Sequence, residues 1–206
     1  ELVATVKRDG AQWEQRFRQG IPQGAVKKLG PARGTGTTVF FRPDATIFPK
    51  VEFDAAVIRE RLEVASYLHK GVKVVFEDDT TKTRETFEHA DGIEAYLKKL
   101  LAASSLRTVH ESAFVLGKDN GLRVDLALQW TESTDEQIRS YVNGIPTGSG
   151  GTHENGLRQA LYKGLRAYGE LTNNKKASQI TSDDVMGTAA SMLSVLRSLA
   201  FILAIS

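Results

Sequence analysis

The residues most able to do chemistry lie at one turn. Gly148-Ser149-Gly150-Gly151 runs directly into Thr152-His153-Glu154. A glycine-rich loop that opens a helix presents free backbone N–H groups and the positive end of the helix dipole, which suits a phosphate or carboxylate. The same residues also serve a structural turn, in which glycine lets a strand and a helix pack closely. A single such loop is a weak signal of binding, and the close-packing turn is the expected use. Downstream, Arg158, Lys163 and Arg166 share part of one helix surface away from the Leu157–Leu161–Leu165 stripe. Such a strip is either a solvated face or a contact for an anionic backbone.

Other chemistries are not encoded. His69, His89, His110 and His153 are too widely spaced for a metal-ligand cluster. Cysteine is absent, which removes disulfides, thiolate metal sites and thiol nucleophiles and fits a reducing cytoplasm. Neither a G-x-S-x-G nucleophile elbow nor a G-x-x-x-x-G-K-[ST] phosphate loop occurs. No catalytic residue and no metal site is expected.

The elements that must carry these side chains are legible from periodicity. Leu2, Ala4 and Val6 alternate with other residues ahead of Asp9-Gly10, and Trp13, Gln15 and Phe17 alternate after it. This predicts a hairpin with a two-residue turn at positive φ. A turn-rich stretch from Gly20 to Gly36 leads to a strand over 37–42, stopped by Pro43. Ile58, Leu62, Ala65 and Leu68 share one helical face, with Gly71 ending the helix in the left-handed conformation. Val72–Phe76 and Thr83–His89 read as a second hairpin. Asp91 and Glu94 have capping-box spacing ahead of a helix with Ile93, Leu97, Leu100 and Leu101 inward. The cleanest alternation in the chain is Leu122–Trp130, with a return strand over 138–142 after a polar turn. A helix over 152–168 and a short helix capped by Thr181 and ending near Gly187 follow.

The 206 residues, 41% hydrophobic and 25% charged, are ordinary for a globular protein. A net charge of +2 makes no global claim on nucleic acid, so any basic patch must be local. The chain begins at Glu1 within a strand-like pattern, so a piece of a longer protein is expected. Met192–Ser206 is apolar apart from Arg197 and its serines. The run after Arg197 is less than half the about 20 residues that span a bilayer, so membrane insertion is not expected. Extension of the last strand, or packing on the core or a neighbour, is.

Several ordered motifs resemble one family, the B subunit of DNA gyrase and its topoisomerase IV counterpart. They are Gly34-Thr35-Gly36-Thr37 through Arg42-Pro43-Asp44, Arg59-Glu60-Arg61-Leu62 with Tyr67-Leu68-His69-Lys70-Gly71-Val72, Gly92-Ile93, Ala127-Leu128-Gln129-Trp130, Tyr141-Val142-Asn143-Gly144-Ile145-Pro146, Gly150-Gly151-Thr152-His153 and Asp183-Asp184-Val185 through Ser194-Val195. His69 departs from the family's Asn.

The resemblance implies an α+β chain. Residues 1–43 would be the closing strands of a GHKL (Bergerat) ATPase domain. Residues 44–195 would be a transducer of ribosomal S5 domain 2-like fold, and 196–206 a divergent apolar tail. It also implies that this chain lacks the family's chemistry. ATP and Mg serve the intact family, but the Glu/Asn helix, the adenine loop and the phosphate lid have no counterpart here. Thr37 alone matches an adenine-side position. The Gln-Thr-Lys sensor loop is replaced after Val195, so no cofactor is expected in this chain. Basic transducer residues of the family line a DNA-sized cavity; Arg158 matches such a position best, and Lys163 and Arg166 share its helix surface as candidate DNA contacts. Implied partners are gyrase A-like and gyrase B-like subunits, DNA in the holoenzyme, and a second copy. That copy would bind through the tail or a sheet face carrying Trp13, Phe17, Phe40 and Phe41. The alternative is a free-standing, truncated gyrase B-like module that binds or regulates intact gyrase, or self-assembles, without catalysis.

Overall fold

The computed structural model describes residues 1–197. The chain divides into two compact units, Glu1–Asp54 and the residues from Ala55 onward. Residues 44–54 group with the first unit. The fold is α+β. Residues 198–206, most of the apolar tail, lie outside the described residues.

The first unit is a sheet of β1 (Leu2–Arg8), β2 (Ala11–Arg18), β3 (Ile21–Pro22), β4 (Lys27–Pro31) and β5 (Gly36–Phe41). Its order is β3-β2-β1-β5, with β4 also paired to β2. Asp9 and Gly10 take φ of 53° and 72°, and Arg8 pairs with Ala11, so the hairpin turns on two left-handed residues as the sequence reads. The strands β3 and β4 fall in the stretch read as turns. Each carries a proline, and Lys27-Lys28-Leu29-Gly30-Pro31 has no alternation to reveal it.

Register separates the faces of this sheet. Leu2 lies opposite Phe17 and Phe41, and Val6 opposite Trp13 and Thr37. Alternation then puts Leu2, Ala4, Val6, Trp13, Phe17, Thr37, Val39 and Phe41 on one face. Phe40 pairs with Val3, beside Arg16, on the other face. The expected patch is therefore corrected by one residue: adjacent strand residues cannot share a face, so Phe40 leaves it. Trp13 and Phe41 are 36% and 57% exposed.

The second unit comprises α1 (Ala55–Leu68), β6 (Val74–Asp78), β7 (Thr83–Phe87), α2 (Ile93–Ser104), β8 (Phe114–Asp119), β9 (Leu122–Trp130), β10 (Gln137–Val142), β11 (Ile145–Pro146), α3 (Thr152–Leu171), a 3-10 turn Lys175–Gln179, α4 (Ser182–Met186) and β12 (Ala189–Arg197). The five-stranded sheet runs β11-β10-β12-β9-β8. The sequence implied that β10 returns beside β9. Instead β12 lies between them, antiparallel to β9 and parallel to β10. Its Ala-Ala-Ser-Met-Leu-Ser run, 189–194, is buried on both faces, which suits a central strand.

Both faces of this sheet are covered. Ala127, Tyr141, Ala190 and Met192 pack with Tyr67 and Leu68 of α1 and Ile93, Tyr96, Leu97 and Leu101 of α2. Leu126, Leu128 and Ala189 pack on the opposite side with Val185 and Met186 of α4 and with Leu157 and Leu161 of α3. This is why four successive residues of β9, Leu126 to Gln129, are buried although their sequence alternates. A charged network ties α1 to its neighbours. The Arg59 Nε and Nη2 donate to the two Glu85 oxygens at 2.8 and 2.6 Å, and Glu63 accepts from both Arg59 and Lys99. The Arg59 bonds hold the Glu85 carboxyl below the usual range.

Two local expectations change. Asp91 and Glu94 do not box α2. Its N-cap is Gly92 at φ 59°, without a side-chain cap, and Glu94 pairs instead with Lys98 at 3.0 Å. A Cβ at Gly92 would strike the Lys70 side chain, so this position favours glycine twice over. Ile58, at the start of the expected α1 face, is exposed, whereas Ser66, Tyr67 and Leu68 at its end are buried. Gly71 at φ 81° and the Thr181–Asp184 capping box on α4 are as the sequence reads.

Candidate functional site

The strand β10, the turn after it and α3 bring the sequence-derived candidates together. Tyr141 and Val142 pair with Pro146 and Ile145 across Asn143-Gly144, both at positive φ. The chain then passes Thr147 and the glycines and enters α3 at Thr152. Ser140, Thr147, His153 and Glu154 meet there. The Ser140 hydroxyl donates to Glu154 Oε1, and Thr147 Oγ1 donates to the Ser140 carbonyl at 3.0 Å. His153 Nε2 lies 3.0 Å from Ser140 Oγ and 3.1 Å from Thr147 Oγ1, and the two hydroxyls are themselves hydrogen-bonded to each other.

This arrangement decides between the two readings of the glycine loop. Glu154 is buried in the first turn of α3, where a carboxylate interacts favourably with the helix dipole. A Cβ at Gly150 would come 3.0 Å from Glu154 Oε2, and one at Gly151 would come 2.8 Å from the His153 ring. The glycines thus admit the protein's own acidic and imidazole groups, and the anion at this helix N-terminus is internal. The loop is a close-packing turn.

Arg158 lies one turn further on and is not free. Its Nη1 is 2.6 Å from Glu136 Oε2, and Glu136 is held just before β10. Arg166 donates to the Tyr162 hydroxyl at 3.0 Å and pairs with Glu170 at 3.4 Å, and the hydroxyl bond is the main reason its charge is held more firmly. Lys163 is exposed. Sequence reasoning missed Glu136. Its only signal was position, in a polar turn facing a basic helix.

Two further features flank this helix. At its far end Gly169 is buried, and a Cβ there would overlap that of Ala177 in the 3-10 turn. Tyr168 and Leu171 are exposed beside it. On the other face of the sheet, burial pushes the Tyr141 hydroxyl up to about 12.

Thr37 sits exposed on the apolar face of the first sheet, cross-strand from Val6. The side chains paired beside it include Val6 and Trp13, with the Lys28 ammonium 5.6 Å from the centroid of the Trp13 ring. Among the described residues no group of three or more His, Asp or Glu could hold a metal ion. No helix among them is long and apolar enough to cross a membrane.

Comparison with known proteins gives this architecture its relatives. The DNA gyrase B family model matches residues 92–198, from the start of α2 through β12. The B subunit of DNA topoisomerase 4 from Bartonella bacilliformis is 39% identical over 95% of this chain and 30% of its own length. The B subunit of DNA gyrase from Eisenibacter elegans is 34% identical over 94% of this chain and 42% of its own. This chain therefore spans less than half the length of these curated relatives.

Solved structures agree. The 43K ATPase domain of Thermus thermophilus gyrase B, determined in complex with an aminocoumarin, superposes with a TM-score of 0.78 at 30% identity, over 95% of this chain and 54% of that one. The topoisomerase IV ATP binding domain of Francisella tularensis gives 0.80 at 27% identity, over 96% and 54%. A family model covering more than half of the chain, with likeness in sequence and fold reaching through both units, establishes that the chain belongs to the DNA gyrase B family.

Proposed function

We propose that this chain is the transducer of a type IIA topoisomerase ATPase subunit, of ribosomal S5 domain 2-like fold, together with the closing strands of the GHKL domain. Its work is mechanical. The second unit relays nucleotide state toward the DNA gate, and the basic face of α3 lies along the DNA through Arg158, Lys163 and Arg166. ATP-dependent DNA supercoiling or relaxation belongs to the assembled cytoplasmic enzyme, with gyrase A-like and gyrase B-like partners. The observation that carries this reading is the sheet of the second unit, clamped by helices on both faces. Such a body moves as one piece.

The chain by itself has neither a nucleotide site nor a phosphate sensor on this reading, because Thr37 supplies one wall without a second. The apolar face around Leu2, Phe17 and Phe41 is the surface on which the rest of a GHKL domain, or a second copy, packs.

Titration of the purified chain with a non-hydrolysable ATP analogue is expected to give no heat of binding. Binding of a labelled DNA duplex is expected to weaken steeply with salt and to be abolished in the triple variant R158A/K163A/R166A. Micromolar nucleotide binding, or duplex binding indifferent to the triple substitution, would refute the assignment.

A further inference from the structure

We infer that Glu136 regulates the DNA-facing helix by competing with phosphate for Arg158. This rests on the DNA reading of α3 given above. The geometry is that of a removable clasp. One guanidinium nitrogen of Arg158 meets one oxygen of Glu136 at 2.6 Å, while the Arg158 side chain keeps 30% of its exposure. This is a single-point contact, unlike the two-point grip of Arg59 on Glu85. The remaining guanidinium donors can be approached from outside.

The other half of the clasp is itself partly buried. The Glu136 side chain is 22% exposed, and its second oxygen, Oε1, is buried with no hydrogen-bond partner among the described residues. The turn leading to it is fixed. The Ser133 N–H donates to Thr131 Oγ1 at 3.3 Å, and the Asp135 N–H donates to Ser133 Oγ at 3.1 Å.

Energetics follow from this burial. A phosphate that takes Arg158 leaves Glu136 without its counter-charge and with a buried, unpartnered Oε1, which is unfavourable. Arg158 consequently contributes less to DNA affinity than an unencumbered arginine at the same place. Glu136 is a positioning residue that sets how readily the helix accepts a polyanion.

The test is fluorescence anisotropy of a labelled 20-bp duplex over a range of NaCl concentrations, with the parent chain, E136Q, E136D, R158A and E136Q/R158A. E136Q removes the charge. E136D keeps it but draws the carboxylate back by one methylene. Both are expected to tighten binding roughly five- to tenfold, the scale of one net hydrogen bond. Both are also expected to steepen the log–log salt slope by about 0.9, one added phosphate contact. The gain is expected to vanish in the R158A background.

Salt-sensitive binding by the parent with no gain in either variant would overturn the clasp and leave the DNA reading standing. A gain in E136Q alone would make it a long-range charge effect and overturn the clasp too. Absence of salt-sensitive binding in the parent and in both folded variants would overturn both readings. The parent chain gives an independent check that does not depend on variant folding. Its Arg158 Nε–H resonance is expected to stay in place at duplex concentrations that already move the Lys163 Nζ resonance. Movement of Arg158 first would overturn the clasp.

Discussion

Two glycines of α3 are expected to respond in opposite directions to the same substitution. Gly164 has nothing within 4 Å of where a Cβ would sit, whereas a Cβ at Gly169 would overlap that of Ala177 and lie 3.5 Å from its Cα. In both places alanine relieves the entropic penalty of glycine in a helix, about 0.8–1 kcal/mol. At Gly164 that gain stands alone, so G164A is expected to stabilise the second unit by roughly 0.5–1 kcal/mol. At Gly169 the new methyl demands that α3 and the 3-10 turn separate by more than about 1 Å to restore ordinary carbon contact. Overpacking of this kind costs about 1–3 kcal/mol. The net expectation for G169A is a loss of up to about 2 kcal/mol after the helix gain is subtracted. The assay is urea unfolding followed by Trp130 fluorescence in a W13F background. Trp130 reports the second unit directly, since its Nε1 donates to the Val185 carbonyl at 2.7 Å. The double variant G169A/A177G removes the colliding methyl and is expected to recover most of the loss. If G169A proved as stabilising as G164A, the close approach of α3 to the 3-10 turn would be wrong.

Two other outcomes follow from the core of the sheet. Ser194 Oγ is buried with no partner among the described residues, so S194A is expected to be neutral or to stabilise by up to about 1–2 kcal/mol in the same urea assay. Tyr141 titrates near its ordinary value of 10 when unfolded but is pushed up to about 12 when folded, first by burial and then by Tyr96. Between those values the unfolded chain has lost the proton and the native one has kept it. This stability is present in full below pH 10 and falls as pH rises toward 12, by up to about 3 kcal/mol in total. Alkaline urea titrations of Y141F are expected to lack that part of the decline.

Much of the fold was legible because its signals are local. The Asp9-Gly10 hairpin, the left-handed Gly71 and the Thr181 cap each depend on a few neighbouring residues, and each forms as read. Order in the second sheet was not legible. The pairing of β12 between β9 and β10 joins residues more than 45 positions apart, and only burial on both faces demands it. β8 also went unread, although Asn120-Gly121 ahead of Leu122 is a turn signal that could have found it. All six of its residues are exposed at the sheet edge, so no alternation marks the strand. At the site, the helix and its basic residues were readable from spacing. Their carboxylate partners were not, because Glu136 reaches Arg158 across two elements and a glycine turn.

The electrostatics explain why a chain with 27 basic residues has only a conditional claim on nucleic acid. Half of its fourteen arginines form ion pairs among the described residues: Arg8 with Asp9, Arg16 with Glu14, Arg59 with Glu85, Arg84 with Glu77, Arg123 with Asp125, Arg158 with Glu136 and Arg166 with Glu170. Screening limits the residual field to roughly 8 Å at physiological salt. Where a polyanion meets a paired arginine it must compete at contact range, and what matters there is how rigidly the pair is presented. The helix α3 is held at two separate points. The near end is tied to β10 through Ser140, His153 and Glu154, and the far end is pressed on Ala177 at Gly169. Between them Leu157 and Leu161 rest on the cluster around Leu128. Arg158 lies next to the near tie and about 16 Å along the helix from the far one. Loosening Gly169 should thus lower stability while leaving the Arg158–Glu136 pair, and with it the salt slope of DNA binding, unchanged. If G169A altered that slope, α3 would be bending as a whole and would not be held at two separate points.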